Sequence, residues 1–391
     1  MEYNSKCTAC GSSECEDLPV PHPSRSVISD GSVVSTPLRR RTCNNCGHGF
    51  HALDLGEEQV RAIYGSDYSI GLRDATAEVA RSIEYGRQIK TFLAHHLGSE
   101  ADLSKIVEFG CGSGTLLNHL HHRLGSQVAT GVEPSSRVVS YARSIADRGV
   151  SIHQGFAENF DENPHTYDLC LSVNVIEHTH DPRGFLQACK RTVSETGSIV
   201  VVCPDGDVVG SELLFYDHVS SFTSASLAKI MASVDLRIVG SAHLTGSLQG
   251  FGIHLAKLGN GDLENRSRNN GLPTKERAKY LNTWSRIENS TYRLLRNRKY
   301  GIFGTGEYCD LLYAYSPSVV ENADFFVRDQ PIETELHNKP VLSTNDFLNL
   351  PQIPLVAAVH ERGWSPVCER FRSKGILIFH PFEVANQDTI T

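Results

Sequence analysis

The sequence lacks any unbroken apolar run near the roughly 18 residues that a membrane-spanning helix requires, so an integral membrane protein is not expected. Its first ten residues, Met1 to Cys10, carry neither the basic nor the apolar block of a secretory signal, and a cytoplasmic location is the expectation. Basic charge is also scarce: 37 Lys and Arg stand against 45 Asp and Glu, a formal net charge of −8. That balance excludes a general nucleic-acid binder, and the run Arg39, Arg40 and Arg41 reads as a solvated face. Short-period repeats are missing too. Eleven cysteines are scattered along 391 residues and not crowded into a short secreted frame, so reduced thiols are expected in place of disulfides.

Four of those cysteines are not scattered. Cys7 and Cys10 form one CxxC pair, and Cys43 and Cys46 form another. Each pair can sit on a tight knuckle, and four thiolates close a tetrahedral zinc with no position left for water, so the metal would hold the fold and not catalyse. Gly11 and Gly47 follow the second cysteine of each pair, where such a turn favours a permissive residue. The 32 intervening residues are more than the usual ribbon loop, and coincidence or a redox pair is the competing reading. His48 and His51 lie nearby as bystanders. Pro19, Pro21, Pro23 and Pro37 mark a loop-rich insertion.

A chain of this length exceeds the size at which one core stops growing, so two or three domains are expected. The zinc module takes residues 1–55. A helical segment, 56–98, is broken by "YGSDYSIG", in which Gly65 and Gly71 punctuate Tyr64 and Tyr68. From 99 to 258 apolar strand candidates, at Lys105 to Phe109, Gln127 to Val132, Ser151 to His153, Asp168 to Val173 and Ser198 to Cys203, alternate with helical stretches, the pattern of a doubly wound α/β sheet. A helix running from after Phe222 to about Val234 and two further strands, Leu236 to Leu244 and Gln249 to Lys257, complete it. The polar stretch Gly259 to Pro273 reads as a linker, followed by a helix to about Arg298. A second strand, glycine turn and helix, "KYGIFGTGEYCDLL", then opens a C-terminal unit, 299–391.

The densest signal is "VEFGCGSGTLL", Val107 to Leu117. A dinucleotide fingerprint wants GxGxxG, but Gly110, Gly112 and Gly114 give GxGxG and position 115 is threonine. Placed after a strand ending in Glu108, this pattern resembles motif I of class I S-adenosylmethionine-dependent methyltransferases. Glu133 lies 23 residues beyond Gly110, at the end of the next strand, where a carboxylate can accept hydrogen bonds from both ribose hydroxyls. In the resemblance it is the motif II acid. Phe156, Ala157 and Glu158 of "GFAENF" match the loop bordering the adenine. "YDLCLSVNVIEH", Tyr167 to His178, resembles motif IV and its extension, with Asn174 on the cofactor side. The resemblance implies a class I Rossmann-like core that binds S-adenosyl-L-methionine.

Over nearly the whole chain, the order of parts is similar to the three-domain sugar C-methyltransferases. That family has an N-terminal zinc module, a methyltransferase core and a C-terminal Rossmann-like domain, and acts on nucleotide-linked keto sugars. "CNNCGHGF" with "IYGSDYSIG" matches its zinc knuckle and the tyrosine segment that covers the cofactor, which places Tyr68 at that site; the alternative is a packing tyrosine. "FYDHVSSFTSASLAKIM", "TGSLQGFGIHLAK" and "GIFGTGEYCDLL" match its later landmarks. The resemblance implies a small-molecule acceptor, a nucleotide-linked sugar, a place in sugar biosynthesis, and a C-terminal unit that helps hold the nucleotide.

Methylating carbon requires a base to remove the proton beside a ketone and a donor to stabilise the enolate. His218 is the natural base, Asp217 can orient or polarise the site, Tyr216 can donate to the enolate oxygen, and His178 can reach the same pocket. Each has a plainer reading: acid-His segments before a helix also cap it, and an "EH" dipeptide here can merely shape the acceptor side. The family often has tyrosine where this chain has Ser221, and its "LGxxPLAN" segment is replaced here by Asp17 to Leu38. Those departures keep O- or N-methylation of a sugar or another small metabolite open. A scaffold with a vestigial core is the third reading, opposed by the intact Gly110, Gly112, Gly114 and Glu133.

Overall fold

The computed structural model describes residues 3–65, 68, 75–162, 164–259, 272–295 and 298–387. Gly71 and most of the 259–273 stretch therefore lie outside the described residues. The chain packs as two compact units. The first comprises the chain to Asp17, Arg40–Leu213 and Asp217–Lys275; the second comprises Leu18–Arg39, Leu214–Tyr216 and the chain from Glu276 onward.

The first unit is built on seven strands: β1 (Lys105–Phe109), β2 (Val128–Glu133), β3 (Val150–Gln154), β4 (Tyr167–Val173), β5 (Val193–Pro204), β6 (Leu236–His243) and β7 (Phe251–Leu258). They hydrogen-bond in the order β6-β7-β5-β4-β1-β2-β3. Strands β1 to β5 run parallel, and β7 inserts antiparallel between β5 and β6. The central strands read as continuous apolar runs because both faces are covered. One face buries Phe109, Phe185, Leu227 and Ile230 beneath the helices Pro182–Thr192 and Ser224–Ala232. The other buries Ile89, Leu117, Leu120 and Ala142 beneath Ala75–Leu97, Thr115–Leu124 and Ser136–Ile145. Asp181, Ser135 and Thr223 cap their helices by accepting backbone N–H groups.

A smaller sheet in the same unit joins Cys15–Asp17, Arg40–Cys43, Gly49–His51 and Ser220–Ser221 in that order. The expected zinc module is therefore not a contiguous block of residues 1–55. Leu18–Arg39 leaves it for the second unit, where the hairpin Ser26–Val27 with Val33–Val34 forms, Val27 and Ile28 are buried, and Arg25 lies over the Tyr313 ring. The basic run is also not the solvated face expected of it. Arg39 is exposed, but Arg40 and Arg41 are buried, each because its guanidinium finds acceptors: Arg40 two backbone carbonyls, Arg41 the Asp17 carboxylate at 2.9 Å.

In the second unit, β8 (Gly301–Phe303), β9 (Phe325–Arg328), β10 (Lys339–Ser343), β11 (Leu355–Ala357) and β12 (Ile378–Phe379) run parallel in the order β10-β9-β8-β11-β12, with Glu335–Leu336 antiparallel at the edge. The glycine at the turn after β8 has a packing reason. Gly304 has φ +106°, and a Cβ there would lie 2.3 Å from the Ala358 carbonyl oxygen. The expected single helix before this sheet is two, Leu272–Trp284 and Ile287–Leu295.

Candidate active site

The turn after β1 needs glycine for two different reasons. Gly110, Gly112 and Gly114 have φ of +69°, +51° and +75°, left-handed values that residues with a Cβ rarely adopt. A Cβ on Gly110 would lie 2.3 Å from Val175 Cγ2, so that position is closed by packing; a Cβ on Gly112 would meet nothing within 4 Å. Gly112 is thus the open floor of the turn. Its N–H donates to Glu133 Oε2 at 3.1 Å, while the Ser135 N–H donates to Oε1 at 2.9 Å. Burial pushes the Glu133 carboxyl up, and these two N–H groups pull the other way. Ser135 Oγ donates to the Tyr68 carbonyl at 3.0 Å, which holds that residue at the same corner.

Around this floor lie the other expected cofactor residues. Glu108 is buried, and burial, reinforced by Glu78 and Glu133, raises its carboxyl well above the usual range; its Oε2 has no hydrogen-bond partner among the described residues. Asn174, just past β4, is left-handed at φ +56°; its Nδ2 donates to Tyr85 Oη at 3.0 Å, and its Oδ1 is buried without a partner among the described residues. Ala157 begins a short turn after β3 and is buried, beside Phe156, whose ring is covered by the Arg61 guanidinium at 4.1 Å. Burial raises the carboxyl of Glu158 in that turn. Glu108, Glu133 and Asn174 all stand at carboxyl ends of parallel strands, where open α/β sheets bind ligands.

A second cluster forms where the turn Ile176–His178 meets the segment leading into Ser220–Ser221. The rings of His178 and His218 stand edge to face, 4.7 Å apart. Tyr64 Oη lies 2.6 Å from His178 Nδ1 and 3.1 Å from Asp217 Oδ2. A carboxylate only accepts, so the Tyr64 hydroxyl donates to Asp217 and His178 Nδ1–H donates to Tyr64, which leaves the lone pair of His178 on Nε2. Burial, aided by His218, pushes His178 down to about 4, and it is neutral near pH 7. His218 goes the other way: burial lowers it, but the carboxylates of Glu212, Asp217 and Glu177 outweigh that and raise it above the ordinary histidine value. Burial lifts Glu177 to about 7 against the pull of His218, and neither of its carboxylate oxygens has a hydrogen-bond partner among the described residues. One oxygen or ring nitrogen from each of Glu177, His178 and His218 lies within 4.8 Å of the other two. Glu212 Oε1 accepts the Ser221 hydroxyl at 2.8 Å, which gives the departure at Ser221 a local role. Tyr216 is assigned to the second unit, where its N–H donates to the Val27 carbonyl at 2.7 Å.

The four cysteines converge. Cys7 and Cys46 sulfurs are 3.7 Å apart, Cys10 and Cys43 sulfurs 3.6 Å, and all four lie within 4.8 Å of one another. A tetrahedral zinc with bonds of about 2.3 Å separates its sulfurs by about 3.8 Å. The Gly11 and Gly47 N–H groups close the two knuckles onto the Cys7 and Cys43 carbonyls, each at 2.8 Å. His48 Nε2 instead meets Thr8 Oγ1 at 3.1 Å.

Residues 80–241 match the model of a family described as a methyltransferase domain. The core is a class I S-adenosylmethionine-dependent methyltransferase domain. The ubiquinone biosynthesis O-methyltransferase of Rhodopseudomonas palustris (strain TIE-1) is 33% identical over 100 residues, 25% of this chain and 38% of that protein. The mitochondrial ubiquinone biosynthesis O-methyltransferase of Mus musculus is 28% identical over 120 residues, 29% of this chain and 32% of that protein. The chain thus spans roughly a third of the length of these curated relatives. Among solved structures, the 1,6-didemethyltoxoflavin-N1-methyltransferase of Burkholderia thailandensis is similar at 16% identity and a TM-score of 0.41, covering 55% of this chain and 96% of that one.

The cradle of this methyltransferase domain fits S-adenosylmethionine on its donor set. Each Glu133 oxygen accepts one N–H and keeps a lone pair for a ribose hydroxyl, and Gly112 leaves its floor bare. Among the described residues, the buried Asn174 Oδ1 and Glu108 Oε2 have no hydrogen-bond partner. Three residues at the acceptor side of the domain escaped sequence reasoning. In the sequence Tyr64 is only a tyrosine beside a glycine, and Glu212 and Glu177 hold no motif position of their own. For Glu177 the dipeptide with His178 was visible, but not its burial.

Proposed function

We propose that this protein is an S-adenosylmethionine-dependent methyltransferase that C-methylates a nucleotide-linked keto sugar, with His218 as the general base. The observation that carries this reading is the divergence of two touching imidazoles, His178 pushed down to about 4 and His218 raised. Environments that drive neighbouring groups apart divide acid and base roles between them. S-adenosylmethionine, when bound over Gly110, Gly112 and Gly114, supplies an electrophilic methyl group. His218 takes the proton from the carbon beside the ketone, and the imidazolium it becomes attracts the enolate formed. His178 stays neutral and is held in one orientation by Tyr64, which is itself held by Asp217.

The acceptor side also supports O- or N-methylation of a small metabolite, because His218 can equally deprotonate a hydroxyl or amine, and the relatives matching the core are O-methyltransferases by name. Heavy water separates the two. A nucleoside-diphosphate keto sugar incubated with the protein is expected to gain deuterium beside its carbonyl, and His218→Ala to slow that gain on the order of a hundredfold or more. Methylation of a hydroxyl or amine acceptor without any carbon exchange would establish heteroatom transfer instead.

Cys7, Cys10, Cys43 and Cys46 are proposed to hold one structural Zn²⁺, supported by the sulfur spacing above. The second unit is proposed as a Rossmann-like domain that helps to hold the nucleotide part of the substrate. Support comes from its five parallel strands in the order β10-β9-β8-β11-β12, which leaves a switch point beside β8. Among the described residues, no helix is long and apolar enough to cross a membrane. A cytoplasmic site of action, with the cysteines as reduced thiols, is part of the proposal.

A further inference from the structure

Arg40 is 1% exposed, in the strand Arg40–Cys43 that ends in one of the paired cysteines. Its Nε donates to the Leu213 carbonyl at 2.7 Å and its Nη2 to the His218 carbonyl at 2.8 Å. Between those two carbonyls the chain leaves the first unit for Leu214–Tyr216 and returns at Asp217. One guanidinium therefore fastens both ends of the excursion, and the returning end carries Asp217 and His218. Other bonds run from the cysteine module to the same segment. Ser220 and Ser221 pair antiparallel with Phe50 and Gly49, the His51 N–H donates to the Val219 carbonyl at 3.2 Å, and Thr223 Oγ1 donates to the Cys46 carbonyl at 2.7 Å.

We infer that Arg40 is a positioning residue for His218, and that the four-cysteine module acts on the acceptor site through it. The inference rests on the proposal that His218 is the general base, and goes beyond it by assigning how the base is aimed. A planar fork bridging two carbonyls fixes the direction of the backbone that bears the imidazole, which an ammonium on a flexible stem does less well. The groups that face His218 are Glu212, Asp217, Glu177 and His178. Loosening its backbone moves the ring away from those carboxylates and toward water.

The test uses the full-length, metal-loaded protein, with Arg40→Met as the apolar replacement and Arg40→Lys as the conservative one. Three quantities are read: S-adenosylhomocysteine binding, the titration of the His218 imidazole by NMR, and deuterium exchange into a nucleoside-diphosphate keto sugar. Arg40→Met is expected to keep cofactor affinity, to lose exchange on the order of a hundredfold, and to bring the His218 titration down toward the ordinary histidine value. Arg40→Lys is expected to fall between. The direction is diagnostic, because removing a nearby cation acts by charge alone to push an imidazole further up. A folded, cofactor-binding Arg40→Met whose His218 titration is unchanged or rises overturns the inference. If Arg40→Met does not fold, Arg40→Lys is judged by the same criteria. Exchange that survives His218→Ala with Arg40 intact instead overturns the role of His218 as base.

Discussion

Replacing Glu177 with glutamine should make this protein more stable and less active, and the gain should depend on pH in a calculable way. Glu177 is 2% exposed and lies close to His178 and His218, yet its carboxylate oxygens lack hydrogen-bond partners among the described residues. Burial raises its pKa from 4.5 to about 7, a value that already includes the pull of His218. Each tenfold change in proton affinity is worth about 1.4 kcal/mol, so ionising Glu177 in the folded protein costs about 3 kcal/mol. Between pH 4.5 and about 7 the folded chain holds this proton more tightly than the unfolded chain, and stability therefore falls as pH rises through that window. Glutamine has the same shape and no such slope. Glu177→Gln is expected to match the wild type near pH 4.5 and to exceed it by about 3 kcal/mol at pH 8. The two tryptophans, Trp284 and Trp364, both lie in the second unit, so their fluorescence does not report on the core. Hydrogen exchange at the amides of β4 and β5, corrected for the intrinsic rate at each pH, does. A stability difference that stays flat between pH 4.5 and 8, or a variant less stable than the wild type at pH 8, would refute the reasoning.

Glu133→Ala removes both carboxylate oxygens of the cradle and should weaken S-adenosylmethionine by tenfold or more, since a hydrogen bond to a charged group contributes roughly 1.5–3 kcal/mol; calorimetry giving an unchanged dissociation constant would contradict the cradle. Gly110→Ala combines φ +69° with a 2.3 Å approach to Val175, and should cost about 2–4 kcal/mol in thermal unfolding. Gly112→Ala has open space and should cost roughly 1 kcal/mol in stability while lowering cofactor affinity more than Gly110→Ala does. Plasma emission should find about one zinc per chain, and Cys43→Ser should lose the metal and melt earlier. Because His218 is raised by its carboxylates, the rate of any proton abstraction it performs should climb with pH through a midpoint above the usual histidine value, a limb missing in His218→Ala.

The features readable along the chain were those whose cause is local. The strand expected at Lys105 to Phe109 has those bounds, and the one at Gln127 to Val132 is shifted by a single residue, because a parallel strand covered on both faces is mostly apolar wherever it sits. The three glycines of the turn were legible for the same reason, since a left-handed dihedral constrains the residue that adopts it. The two CxxC pairs were legible because each knuckle is a short turn, although their meeting required a fold to bring residues 7 and 46 together.

Nothing local marks Tyr64 as the partner of Asp217, which lies 153 residues away, nor separates Arg40, sunk against two carbonyls, from its exposed neighbour Arg39. The opposite shifts of His178 and His218 are likewise not a property of histidine. They are set by how much water each ring has lost and which carboxylates stand beside it. The same holds for Leu18–Arg39, which joins the second unit although its flanks belong to the first. Residue type and short-range spacing decide which backbone turns and strands can form; desolvation and charge proximity depend on segments far apart in the chain, and only their packing assigns them.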